Sequence, residues 1–147
     1  MPAISDIEDA IIARLKKNLS YLKKAGPLSD FLKLQADNIT TVTPSVFVSY
    51  AGGGFSNPCM NTGLYDKSMV FAVIVVARSA VSQEKLLHGD GGSKIGVYEI
   101  LEDVAKALKG ETLGLSINPL QPISEDALDG TQTTAVYGIT FRTKCRV

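Results

Sequence analysis

The chain has 147 residues, of which 45% are hydrophobic, so it is long enough for one domain with a substantial apolar core. Its 15 basic residues balance its 15 acidic residues, which argues against nucleic-acid and membrane partners, because those usually require a basic excess. The two cysteines, Cys59 and Cys145, are far apart, and no signal peptide precedes them. We therefore expect free thiols in a protein that is cytoplasmic at synthesis.

The first half of the chain predicts one helix followed by two strands. Apolar residues at helical spacing follow Ser5, and Gly26-Pro27 supplies a stop signal. β-Branched residues predict a strand over 45–51 and a longer strand over about 65–78. The glycine-bearing segment 52–64 between these strands is predicted to be a loop.

The second half predicts another helix and two further strands. A second long loop is expected over 79–92, followed by a helix from Ser93 to Lys109. The predicted segments that follow are a strand over 113–117, a proline-containing edge stretch over 118–123, an acidic turn over 125–130 and a last strand over about 133–145. We therefore expect one α+β domain, with a mostly antiparallel four-stranded sheet and two main helices packed on one face, in the order α-β-β-α-β-β.

The run Met69–Ala77 contains no polar side chain. Successive strand residues point to opposite faces, so this predicted strand is apolar on both. The two helices are expected to cover one of these faces. A neighbouring subunit or a folded-over segment such as 28–43 is needed to cover the other.

Few residues carry a pattern typical of catalysis or metal binding. His88 is the only histidine, and one histidine with two distant cysteines makes a poor zinc site. The glycines at 52–54 and 89–92 lack the spacing of a phosphate-binding or dinucleotide-binding loop. We therefore expect no catalytic residue, no cofactor and no metal. The basic residues of the last strand suggest either a small patch for an anionic partner or an edge strand kept soluble by charge: Arg142, Lys144 and Arg146.

Several short segments together resemble the Mu-like prophage family of small tail proteins, whose members are similar to phage tail terminators. The resemblance covers nearly the whole chain. It is carried by the stretches Ile4–Ile11, Val48–Gly52, Val75–Ser79, Gly96–Glu102, Leu113–Leu115 and Asn118–Leu120.

The resemblance implies a structural protein that forms a homo-oligomeric ring, and it implies that this ring is a hexamer. Such a ring caps the tail-tube protein, stops tube growth and offers a docking face to the head–tail connector protein. The expected location is the host cytoplasm during assembly and then the virion tail, with no nucleic-acid or membrane partner. Two alternatives stay open: a head–tail neck or connector subunit, and a small-molecule-binding α+β domain with His88 and Arg78 as the first residues to test.

A ring requires two different patches on each subunit to meet. We expect one patch near Tyr50, Phe55 and Arg78, and the other on the last strand near Arg142. The alternative is that Tyr50 and Phe55 fill the core of the subunit itself. The glycine-bearing loops at 52–64 and 79–92 are the expected contacts with the tube or with the neighbouring subunit.

Overall fold

A computed structural model describes residues 2–29, 44–59, 62–78, 96–130 and 134–146. These ranges contain two helices and five strands: α1 (Ile4–Asn18), β1 (Lys24–Pro27), β2 (Ser45–Cys59), β3 (Leu64–Arg78), α2 (Val97–Leu108), β4 (Gln121–Gly130) and β5 (Thr134–Arg146). The predicted loop at 79–92, including His88, lies outside the described residues.

The described strands form one mixed sheet in the order β1-β2-β3-β5-β4. β1 runs parallel to β2, and the other three pairs are antiparallel. The prediction of a four-stranded antiparallel sheet is therefore wrong, because it omitted β1 and the parallel pair that β1 makes.

β1 lies in a segment that we predicted from the sequence to be the end of the first helix. The helix ends at Asn18, and the Lys23 backbone N–H then donates to the Pro44 carbonyl oxygen at 2.8 Å, next to the parallel pairing of β1 with β2. Leu19, Tyr21 and Leu22 still pack on the core from this non-helical connection. Their contact with the core explains why the apolar spacing resembled a longer helix.

The third predicted strand, at 113–117, is a series of turns. Leu113 and Gly114 have φ angles of 57° and 70°, which no strand allows. Leu113, Leu115 and Ile117 nevertheless pack against the core, so their alternation reflects a turn that inserts side chains at intervals.

The strand lies instead at β4, which includes the residues predicted as an acidic turn over 125–130. β4 pairs with β5 along its length, with register shifts between Pro122 and Ser124 and between Ala127 and Asp129. A proline is tolerated there because β4 lies at the edge of the described sheet, where an outward position needs no donor. Pairing with β5 thus overrides the low strand propensity of this segment.

The segment predicted as a loop over 52–64 is mostly the paired end of the β2–β3 hairpin. β2 and β3 stay in register down to Ser56–Asp66 and meet again at Cys59–Leu64, with a shift after Tyr50 that Gly52 accommodates at φ 118°. The long strand predicted over about 65–78 is confirmed as β3.

The main core lies between the helices and one face of the sheet, which we call the inner face. The alternate β3 residues that point to this face are buried in it: Met69, Phe71, Val73, Val75 and Ala77. Ile11 and Leu15 of α1 and Ile100 and Val104 of α2 complete it. The intervening β3 residues, beginning with Val70, therefore point to the opposite face, which we call the outer face.

Candidate interaction surfaces

The outer face is not uniformly exposed. Phe47, Val76 and Val136 form a second buried cluster there, with exposures of 0%, 3% and 9%, and Ile74 packs against it. Ser45 lies beside Val76, and its buried hydroxyl has no hydrogen-bond partner among the described residues. This end of the outer face is therefore already covered. The partly exposed Val70 and Ala72 continue the apolar row toward the end of the hairpin.

The far end of the β2–β3 hairpin carries an exposed apolar surface, which we call the hairpin patch: Phe55, Leu64 and Tyr65. Their exposures are 65%, 41% and 41%. The rings of Phe55 and Tyr65 meet edge to face at 6.3 Å, and the Lys67 ammonium lies 5.6 Å from the centre of the Phe55 ring. Exposed aromatic groups held in one arrangement are typical of protein contact sites.

A polar network behind the hairpin patch holds this end of the sheet together. The Arg146 guanidinium donates to the Asp66 carboxylate at 2.8 Å and to the Asn57 carbonyl oxygen at 3.1 Å. The Asn57 side-chain amide donates to the other Asp66 oxygen at 2.8 Å. These bonds from Arg146 and Asn57 lower the pKa of Asp66. Because Asn57 adopts a φ of 51°, the network fixes a bend that an asparagine tolerates better than most residues.

The residues predicted to form the ring contacts lie in different places. Tyr50 is half-buried, points to the inner face and lies 5.4 Å from the Phe71 ring, whereas Phe55 is exposed at the hairpin end. Arg78 is the last residue of β3 and pairs with Thr134, about 35 Å along the strand from the partner of Phe55. Arg142 is exposed on the outer face of β5. The fold therefore does not bring Phe55 and Arg78 into one patch.

Sequence reasoning did not single out β4, which we call the acidic edge. Glu125 and Asp126 lie in the middle of this strand and are exposed, and they flank the edge on opposite faces because they are adjacent in a strand. Ile123 and Leu128 are also exposed, at 48% and 54%. Leu128 lies over Gly138 of β5, where an added Cβ would be 3.0 Å from Leu128 Cδ1.

The other edge of the described sheet has the opposite charge. A concave surface, which we call the basic groove, lies between the end of α1 and β1. Its described lining consists of lysines, apolar side chains and one serine: Lys16, Leu19, Ser20, Leu22, Lys23, Lys24 and Ala25. Leu19 and Ala25 are almost fully buried and form its floor, and Lys16 and Lys23 are exposed at its rim.

Polar contacts link α1 and the connection that follows it to α2 and the residues just after α2. Arg14 of α1 donates to the Ala107 carbonyl oxygen at 3.0 Å and to the Glu111 carboxylate at 3.1 Å. The Tyr21 hydroxyl donates to Asp103 of α2 at 2.7 Å. Burial and the neighbouring Asp103 carboxylate raise the pKa of Tyr21. Within the described part of the chain, no group of three or more His, Cys, Asp or Glu side chains is placed to hold a metal ion.

Residues 3–145 match the protein-family model described as bacteriophage Mu, Gp37. The chain belongs to the bacteriophage Mu Gp37 family. The match spans nearly the whole sequence, confirms the resemblance to Mu-like phage proteins and indicates a structural, tail-related phage protein. A comparison with curated proteins gives no match.

The family match identifies no contact residue, so we define the candidate interaction surfaces from the positions and exposure of the described residues. The hairpin patch, the acidic edge and the basic groove are three separate regions of one scaffold. Neither of the helices in the described ranges is long and apolar enough to cross a membrane.

Proposed function

We propose that this Mu Gp37 family protein is a ring-forming tail terminator. In this role a ring of copies, a hexamer by the resemblance to tail terminators, caps the tail-tube protein, stops tube growth and provides the docking face for the head–tail connector. The protein assembles in the host cytoplasm, ends in the virion tail and needs no cofactor or catalytic residue. The family match supports a tail-related phage role, and the specific role as a terminator is what we add to it.

The hairpin patch is the observation that carries the proposal. The hairpin continues past Asp66–Arg146, the last β3–β5 pair, so Leu64 and Tyr65 project beyond the end of β5. The network of Asn57, Asp66 and Arg146 holds its base. A protruding, braced and aromatic hairpin is suited to contact a second protein, and we assign the tube subunit to it.

The test is a tube-capping experiment on the purified full chain. Negative-stain imaging should give rings, and addition of the protein to growing tail tubes should limit their length. The double variant Phe55→Ser/Tyr65→Ser should still form rings but lose capping, because the hairpin patch is exposed and contributes little to the subunit core.

Tyr98→Ser is the matched control, since Tyr98 is also an exposed aromatic residue but lies on α2. It should cap tubes as the wild type does. Capping by the Phe55→Ser/Tyr65→Ser variant at wild-type level would remove the hairpin patch from the tube contact. If the wild-type protein leaves tube length unchanged but binds the isolated head–tail connector, the proposed role as a terminator is wrong and a role as a connector subunit takes its place.

A further inference from the structure

The two edges of the described sheet carry opposite charge. The sequence of β4 contains three acids and no lysine or arginine, whereas the groove beside β1 is lined by three lysines and no acid among its described residues. β2, β3 and β5 lie between them, so the edges are four strand spacings apart, about 19 Å. One subunit cannot bring its own two edges together, but two neighbouring subunits can.

Charge also argues against a symmetric pairing of like edges. Two β4 strands paired antiparallel about a two-fold axis would bring Glu125 and Asp126 of both copies together, because these acids lie at the middle of the strand. Like charges placed opposite each other across strands are destabilising. Two basic grooves facing each other would similarly oppose Lys16 and Lys23. The charge pattern therefore favours an interface between unlike edges.

The apolar groups of the two edges match as well as the charges. Ile123 and Leu128 flank Glu125 and Asp126 of β4 and are about half exposed. The basic groove has an apolar floor of Leu19, Leu22 and Ala25 beneath its lysines. An interface with an apolar centre and a charged rim is the usual anatomy of a specific protein contact.

We propose that the acidic edge of one copy docks into the basic groove of the next copy. Ile123 and Leu128 contact the apolar floor, and Glu125 and Asp126 pair with Lys16 and Lys23 at the rim. Such a head-to-tail contact is heterologous, and it closes into a ring when the rotation between copies permits. The inference rests on the proposed ring and specifies the surfaces that join its subunits.

Charge reversal with rescue tests this interface on the purified full chain by light scattering and negative-stain imaging. Variant A, Glu125→Lys/Asp126→Lys, has two basic edges, and variant B, Lys16→Glu/Lys23→Glu, has two acidic edges. Each variant alone should associate at least tenfold more weakly than the wild type, because its β4 edge and its groove then carry charge of the same sign and repel each other. An equimolar mixture of A and B should recover assembly, since every A–B contact is then complementary.

The control variant Glu102→Lys/Lys106→Glu changes exposed charges on α2 and should assemble as the wild type does. Recovery on mixing cannot come from misfolding, so it separates a true contact from general destabilisation.

Several results would overturn the inference. Assembly of A or B at wild-type level would show that the subunits join elsewhere, while leaving the tail-terminator role intact. Loss of assembly by A and B without recovery in the mixture would also reject the proposed pairing. A wild-type protein that stays monomeric both alone and on tail tubes would instead reject the ring itself, and with it the proposed function.

Discussion

The two faces of β3 should differ in what they contribute to stability, and two valines test this directly. Val73 points to the inner face and is fully buried between Val48 and Ile139. Val70 lies three residues earlier on the same strand, points to the outer face and is partly exposed. Val73→Ala and Val70→Ala therefore remove the same atoms from the same central strand in different surroundings.

The expected difference follows from burial. Replacing valine with alanine costs up to about 1 kcal/mol in strand propensity, and both variants share this cost. At Val73 the two lost carbon groups were fully buried, which adds about 1.6 kcal/mol of transfer free energy and a further cost for the cavity. We expect Val73→Ala to lower the free energy of unfolding by about 2–3 kcal/mol, and Val70→Ala to lower it by less than about 1 kcal/mol.

Urea unfolding followed by circular dichroism measures both values. Because association stabilises the folded state, each variant is measured at several protein concentrations and compared at the lowest. Equal losses in the two variants, or a larger loss for Val70→Ala, would refute the assignment of the inner face as the main core.

Three further predictions concern the β2–β3 hairpin, the Tyr21–Asp103 hydrogen bond and the Asp66–Arg146 ion pair. Gly53→Ala should destabilise the fold by about 2 kcal/mol in urea unfolding, because a Cβ there would overlap the Ser68 carbonyl oxygen, whereas Gly54→Ala, which meets nothing within 4 Å, should have little effect. Tyr21→Phe should cost about 1.5 kcal/mol, since it leaves the Asp103 carboxylate without its 2.7 Å donor. Because the pKa of Tyr21 is raised in the folded state, the wild type should lose this advantage as pH rises above the ordinary value of 10.0, and urea unfolding on both sides of that pH checks the trend. The lowered pKa of Asp66 stabilises the fold above its ordinary value of 3.8 and loses that effect as pH falls, so Arg146→Gln should raise the pKa of Asp66 in a carboxyl NMR titration.

The sequence predicted the elements whose patterns arise locally. The β3 strand follows from β-branched residues, and α2 follows from a helical apolar stripe that ends near Gly110. Both patterns can be recognised in the local sequence without knowledge of the tertiary contacts. The inner-face residues of β3 could be predicted only as one of two alternating sets, because both sets are apolar.

The elements that were mispredicted owe their structure to distant partners. β1 has only four residues and exists through its parallel pairing with β2, while β4 contains acids and a proline and exists through its pairing with β5. No local signal marks β1 as a strand, and Pro119 and Pro122 marked only the edge position where β4 begins. The acidic edge was missed for the same reason, since Glu125 and Asp126 appeared to be in a turn. The basic residues of the groove were visible as Lys16 and Lys23, but only as charges near the end of a helix.

The buried cluster on the outer face changes where a neighbouring subunit is expected to bind. The apolar run Met69–Ala77 suggested that either a neighbouring subunit or a folded-over segment such as 28–43 covers that face, and Phe47, Val76 and Val136 are already buried there within the single subunit. The sheet edges, by contrast, hold exposed charges together with exposed Ile123 and Leu128. If subunits join at the edges, association should weaken with added salt, because rim charges are screened, and Val70→Ala should leave it unchanged. If they join across the outer face, Val70→Ala should weaken association and salt should have little effect. The two possible interfaces therefore predict opposite results for the salt dependence of association and for the effect of Val70→Ala.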